Sequence, residues 1–268
     1  MKIKSSSNQL LNFFSKISER FINRFLTIDI NRFINDSNYA LKMFLNSYAF
    51  ARAGAPNGYK IAAIKSVSSL ESSDSNDTTL WKAFQHFYGG KLNINMNPCA
   101  DPKIFNLNFS SIARMISNGD FSNAFSQLQL RGIGPKIRSL FIRDIAYLTK
   151  VDRSSSFDIK QYLYAQPIDT WVRQTIDLLD FETPLAEVPF DNCYLLNRDD
   201  FGRALKLTSM CIGSGTSPLR VNMGIWYFCS QVVADATRLQ SLLKANSVNA
   251  LEKEMDYMKG FLMLTFNP

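Results

Sequence analysis

The chain has 268 residues, 46% of them hydrophobic and 20% charged, a balance that supports a buried core and excludes a disordered polyelectrolyte. Its formal charge of +7 favours a polyanionic partner, because cations that neutralise phosphates release bound counterions.

Leu10, Leu11, Phe14, Ile17, Phe21, Ile22 and Phe25 recur at helical spacing beside Lys16, Arg20 and Arg24. This stripe reads as a packing helix, with a membrane-surface helix or transit peptide as the alternative. Asp36-Ser37 opens a helix over 38–53 that Gly54 closes, and Ala55-Pro56-Asn57-Gly58 is a turn. Tyr59 to Leu70 is a helix, 72–77 a polar loop ending in a cap, and Trp81 to Tyr88 a helix stopped by Gly89-Gly90. Ser110 to Ser117 and Phe121 to Gln129 are shorter helices.

Leu130-Arg131-Gly132-Ile133-Gly134-Pro135-Lys136 follows, a glycine hairpin joined to a helix that runs to about Thr149. Glycines allow positive φ and close backbone approach, and Pro135 suits a first helical position. The hairpin amides are expected to point outward, making a phosphate site with the positive end of the helix dipole; the alternative is a corner without a ligand. Lys136 lies in the first helical turn, where the dipole opposes an ammonium, and with partial burial it suits a Schiff-base nucleophile; otherwise it is a surface lysine. Arg131, Lys136, Arg138, Arg143, Lys150 and Arg153 cluster nearby, as a phosphate-facing patch or a solvated helix face.

The conformation of 153–165 stays open. Gln166-Pro167-Ile168-Asp169-Thr170-Trp171 leads into a helix whose N-cap is Asp169, a carboxylate that can be both cap and catalyst. Asp199-Asp200 caps a helix through Cys211, and 213–218 is a loop before a helix carrying Trp226. Helices over Val232–Ala245 and Val248–Leu264 finish the chain. Strand signals are scarce, so the expected class is all-α.

Cys99, Cys193, Cys211 and Cys229 lack C-x-x-C spacing, which excludes an iron–sulfur cluster or zinc knuckle. The single histidine, His86, excludes a His-rich metal site. No run approaches the roughly 18 apolar residues needed to span a membrane. With no signal peptide visible, reduced structural thiols and an intracellular location with DNA are expected.

The hairpin, the lysine and the later Pro-Ile-Asp resemble the HhH-GPD superfamily of DNA glycosylases, and their spacing is most similar to the archaeal 8-oxoguanine branch. Residues 47–54 and 221–228 resemble that branch as well. The resemblance implies a two-lobed all-α unit over 1–268: a helical barrel at 60–165 with the hairpin at 130–136, and a lobe of 1–59 plus 166–268. It implies a monomeric base-excision glycosylase with lyase activity, needing no cofactor or metal, that binds double-stranded DNA and flips out an oxidised base, 8-oxoguanine foremost. Lys136 and Asp169 are then catalytic and face each other across a cleft. Arg131, Gly132, Ile133 and Gly134 hold DNA phosphate. Trp226 and then Trp81 are the aromatics expected in the base pocket, with Leu140 and Asn222 where the branch carries an aromatic and an aspartate. Those two departures keep a non-catalytic hairpin DNA-binding protein, or a decayed glycosylase, as the alternative. A helical scaffold without nucleic acid is the third reading.

Overall fold

A computed structural model describes residues 5–51, 55–70, 77–151, 158–178, 198–245 and 247–265. All regular structure among them is helical. The helices are α1 (Ser5–Phe25), α2 (Ile30–Asn35), α3 (Ser37–Phe44), α4 (Tyr59–Leu70), α5 (Asp77–Tyr88), α6 (Phe109–Ser117), α7 (Phe121–Gln127), α8 (Pro135–Leu148), α9 (Ile159–Tyr164), α10 (Thr170–Leu178), α11 (Arg198–Ser214), α12 (Pro218–Tyr227), α13 (Ala236–Lys244) and α14 (Val248–Thr265). They divide into two units, residues 28–157 and residues 1–27 with 158–268.

The 28–157 unit is built on an aromatic core. Phe33 of α2 and Phe44 of α3 meet Phe141 of α8 at ring-centroid distances of 5.8 and 5.4 Å, and Phe109 of α6 packs on both phenylalanines. Each such buried ring contributes about 1.5–3 kcal/mol of transfer free energy, with edge-to-face geometry adding to it. This core corrects the expected boundary: residues 28–59 share the unit of the hairpin instead of joining the terminal lobe, because their phenylalanines pack on α8. The barrel expected over 60–165 also ends sooner, because α9 packs on α11 and residues 158–165 belong to the terminal unit.

The helix expected over 38–53 is α-helical only to Phe44. It then widens into a π-helical turn, Leu45–Ala49, which lets Leu45, Tyr48 and Ala49 all bury. Tyr48 thereby donates its hydroxyl to Asp144 Oδ2 at 3.2 Å, while Arg143 holds the other carboxylate oxygen at 2.8–2.9 Å. Burial pushes the Asp144 carboxyl above its ordinary range against the pull of Arg143, and raises the Tyr48 phenol well above its own.

In the other unit α1 lies along α12. Leu10, Leu11, Phe14, Ile17 and Phe21 are buried, so the amphipathic stripe is a packing face. Contact is closest at Gly224, where a Cβ would stand 1.8 Å from the Phe14 carbonyl oxygen. Phe13 and Phe14 then pack edge-on against Phe228. Arg173 of α10 bonds both carboxylate oxygens of Asp200, and Arg203 bridges Asp200 to Asp177, joining α10 to α11.

Two boundaries differ from expectation here. The loop placed over 213–218 begins only after Ser214, because α11 runs on past Cys211. The helix expected from Val232 starts at Ala236, since α12 continues as a π-helical turn over Phe228–Val233, Ala234 turns left-handed at φ 51°, and Asp235 caps a new helix by accepting from Arg238 N at 2.7 Å. Arg153 and Cys193 lie outside the described residues, as does part of the 47–54 segment.

Two substitutions test this packing. Gly224→Ala forces α1 away from α12 and is expected to cost about 3 kcal/mol, the upper part of the overpacking range, read as a lowered thermal midpoint. Asp144→Asn removes the buried carboxylate charge that Arg143 and Tyr48 share and is expected to cost about 3–5 kcal/mol in denaturant titration.

Candidate functional site

The hairpin is fixed from one side. Ile133 N–H donates to the Leu130 carbonyl at 3.0 Å, closing a turn in which Gly132 is left-handed at φ 70°. The Gly132 α-carbon presses on residue 96, where an added Cβ would lie 2.3 Å from the Met96 carbonyl oxygen. Arg131 N–H donates to Asp101 Oδ2 at 2.6 Å, and its guanidinium reaches the Ile94 carbonyl at 3.3 Å.

These contacts correct the expected phosphate set. The amides of Arg131 and Ile133 are taken within the protein, Gly132 faces the 94–101 segment, and the Ile133 side chain is buried. Gly134 is different: it is exposed, and a Cβ there would meet nothing within 4 Å. Among the described residues nothing accepts from the Gly134 or Lys136 amides. The outward part of the motif is therefore Gly134 to Lys136, at the start of α8, where Pro135 takes the first helical position.

Lys136 is exposed, not partly buried, and no acidic residue shares its helical turn. The basic cluster around it is not one surface patch. Arg138 is 3% exposed with its guanidinium 4.5 Å from the Phe125 ring centre, and burial lowers its pKa from the ordinary value. Arg143 is 1% exposed and paired with Asp144. Helical periodicity turns both inward, which leaves Lys136 and Lys150 exposed. Leu140, one turn beyond Lys136, is half-buried. Trp81, also half-buried, stacks on Phe84 at 5.8 Å with an interplanar angle of 8°.

Asp169, Asn222 and Trp226 belong to the other unit. Asp169 caps α10: its Oδ1 accepts from Val172 N at 2.9 Å and its carbonyl from Arg173 N at 2.8 Å. No described residue donates to its Oδ2. The loop before it is held from α12, where Asn222 Nδ2 donates to Gln166 Oε1 at 3.1 Å and to the Pro167 carbonyl at 3.3 Å. Asn222, expected in a base pocket, is wholly buried and acts as a strut for the Pro-Ile-Asp loop. Gln166 is equally buried, and its Nε2 lacks a hydrogen-bond partner among the described residues. Close by, burial, with a smaller push from the Asp169 charge, raises the Cys229 thiol to about 12. Trp226 is half-buried and meets Phe21 and Phe25 edge-on at 5.5 and 5.4 Å. Among the described residues no three His, Cys, Asp or Glu side chains gather as a metal site.

The sequence reading missed the 93–106 segment that carries the hairpin. Asn93, Asn97 and Asp101 each cap a short 3₁₀ turn through a side-chain oxygen, accepting from Asn95, Cys99 and Lys103 amides at 3.0–3.2 Å. Asn97-Pro98 and Asp101-Pro102 were the available signal, because Asx followed by proline initiates turns. Comparison with protein-family models, curated proteins and solved structures returns no match.

Asn222→Asp tests the strut, because an ionised carboxylate cannot donate to Gln166 Oε1 or the Pro167 carbonyl. At neutral pH the variant is expected to lose about 3 kcal/mol of stability. Burial raises the folded pKa of the introduced carboxyl, so the deficit should shrink as pH falls towards about 4 and grow as pH rises. An unchanged thermal midpoint at pH 7 would remove the strut role.

Proposed function

We propose that this protein is a DNA base-excision glycosylase with lyase activity, using Lys136 as its nucleophile. The observation that carries the reading is the start of α8, where the Gly134 amide is unengaged with open space around it and Lys136, two residues on, stands exposed in the first turn. Backbone amides at a helix start suit a phosphate, and the net charge of +7 suits the polyanion that bears it. Rigid docking of the hairpin on 94–101 supports the reading, because a catalytic amine needs a fixed base.

In the proposed reaction the Lys136 amine bonds to C1′ of the target nucleotide as the bond from C1′ to the base nitrogen breaks, and the base leaves with a proton. Opening of the sugar ring gives the Schiff base, and loss of a C2′ proton expels the 3′ phosphate by β-elimination. Asp169 takes the role that the resemblance implies, stabilising positive charge on the sugar. Its cap uses Oδ1, so Oδ2 remains available for that role. An oxidised base, 8-oxoguanine first, is the substrate this reading names.

A second reading, a hairpin protein that binds DNA without catalysis, is favoured by one observation: the Asn222 amide donates to Gln166 Oε1 and the Pro167 carbonyl, which makes this position a support for the loop.

Two measurements separate the readings, and a third tests the phosphate contact that both share. Borohydride with duplexes carrying 8-oxoguanine or an abasic site is expected to trap a covalent complex that Lys136→Gln abolishes; trapping that persists in the variant rejects this amine. Asp169→Asn keeps the cap, because the amide oxygen still accepts from Val172 N–H, and is expected to stay folded but lose excision. Gly134→Ala should leave the melting temperature unchanged, since its methyl meets open space, while weakening salt-sensitive duplex binding about tenfold or more through obstruction of the phosphate.

A further inference from the structure

The 28–157 unit also carries an open groove of about 490 Å³ where the end of α2, the start of α3 and the start of α6 meet, and none of its lining residues belongs to the hairpin. Small-molecule sites commonly enclose about 300–1,000 Å³. The aromatic core fastens the walls of the groove. Phe33 of α2 packs on Phe109 of α6 with ring centroids 5.8 Å apart, and the Ser110 hydroxyl donates to the Ile34 carbonyl, so the shape is set before any ligand arrives.

The lining is polar and includes one cation. Arg114 lies one helical turn after Ser110, on the same face of α6, and its exposed guanidinium has no partner among the described residues. The side chains of Ser37 and Asn106, both exposed, are likewise unengaged there. Asn108 Oδ1 caps α6 by accepting from Ser111 N–H at 2.9 Å, which leaves its Nδ2 as a donor. Asn35 Nδ2 donates to the Asn31 carbonyl at 2.8 Å, which leaves its Oδ1 as an acceptor. Among the described residues no carboxylate lines the groove, and the neighbouring Asp36 is engaged by Tyr39 N–H at 2.9 Å and the Arg32 guanidinium at 3.2 Å.

An unpaired guanidinium suits an anion, and its planar fork fits the oxygens of a phosphate. Phosphate offers more acceptor oxygens than a carboxylate, enough to take the Ser37 hydroxyl and an asparagine amide as well. Bare phosphate would leave most of the groove empty and the asparagine acceptors unused. A sugar beside it supplies hydroxyls that both donate and accept. We infer that the groove binds a sugar phosphate, with the phosphate on Arg114 and the sugar hydroxyls on the asparagine carboxamides. The inference is independent of the glycosylase reading.

Ribose 5-phosphate and oligothymidylate carry this chemistry as a free ligand and as a polymer backbone, and calorimetric titration of the full chain distinguishes them. Ribose 5-phosphate is expected to bind about tenfold or more tighter than inorganic phosphate or ribose, because only it engages both the cation and the carboxamides. Arg114→Gln should weaken it by a similar factor, and Asn106→Ala should weaken it while leaving inorganic phosphate unchanged. Both substitutions alter exposed side chains, and unchanged circular-dichroism melts confirm that the variants are folded. Oligothymidylate binding that Arg114→Gln weakens, with displacement of ribose 5-phosphate, assigns the polymer backbone as the source; oligothymidylate that fails either condition leaves free sugar phosphates as the source. If Arg114→Gln weakens neither probe, or neither binds, the inference is overturned. Inorganic phosphate that binds as tightly as ribose 5-phosphate removes the sugar from it, and gluconate that binds more tightly removes the phosphate; either result overturns it too.

Discussion

The closest approach at the hairpin, Gly132 against the Met96 carbonyl, is the constraint on which the candidate site depends. No side chain could occupy that position, and the left-handed backbone there adds a second reason for glycine. With Gly132 seated, Arg131 is drawn to Asp101 and Ile94, Ile133 turns into the core, and Gly134 is left as the cap of α8. The two glycines of one short motif therefore do opposite jobs. One is consumed by packing and the other is open to a ligand.

A parallel division holds at the second motif. Pro167-Ile168-Asp169 is kept in place by Asn222, a residue far along the chain whose amide donates to both Gln166 and the Pro167 carbonyl. Burying that amide is tolerable because both donors have acceptors, whereas a carboxylate there would have neither. Asp169 can then cap α10 with one oxygen and keep the other. Gly134 and Asp169 each stand on a support made by long-range packing.

Much of this was legible in the residues. Helical periodicity gave α4 its limits and α5, α6 and α8 their approximate ones, and the stripe Leu10 to Phe21 is the buried face of α1. Asp169 as a cap followed from its place before Thr170. Capping and periodicity are local, so they survive whatever the rest of the chain does. The π-helical turns at Leu45–Ala49 and Phe228–Val233 were not legible, because their widening is chosen by what they pack against. The basic cluster misled for a related reason. Six cations close in sequence suggested a patch, but helix geometry sends Arg138 to the Phe125 ring and Arg143 to Asp144.

The residues alone settled the all-helical class, the caps and the unusual placement of a lysine in a first helical turn, since these depend on backbone propensity and nearest neighbours. Only the tertiary structure decided which amides of the hairpin remain open, that residues 28–59 join its unit, and that Asn222 is a strut. Those outcomes turn on contacts between segments dozens of residues apart. Close packing and the satisfaction of buried polar groups choose them, and neither can be read from a window of sequence.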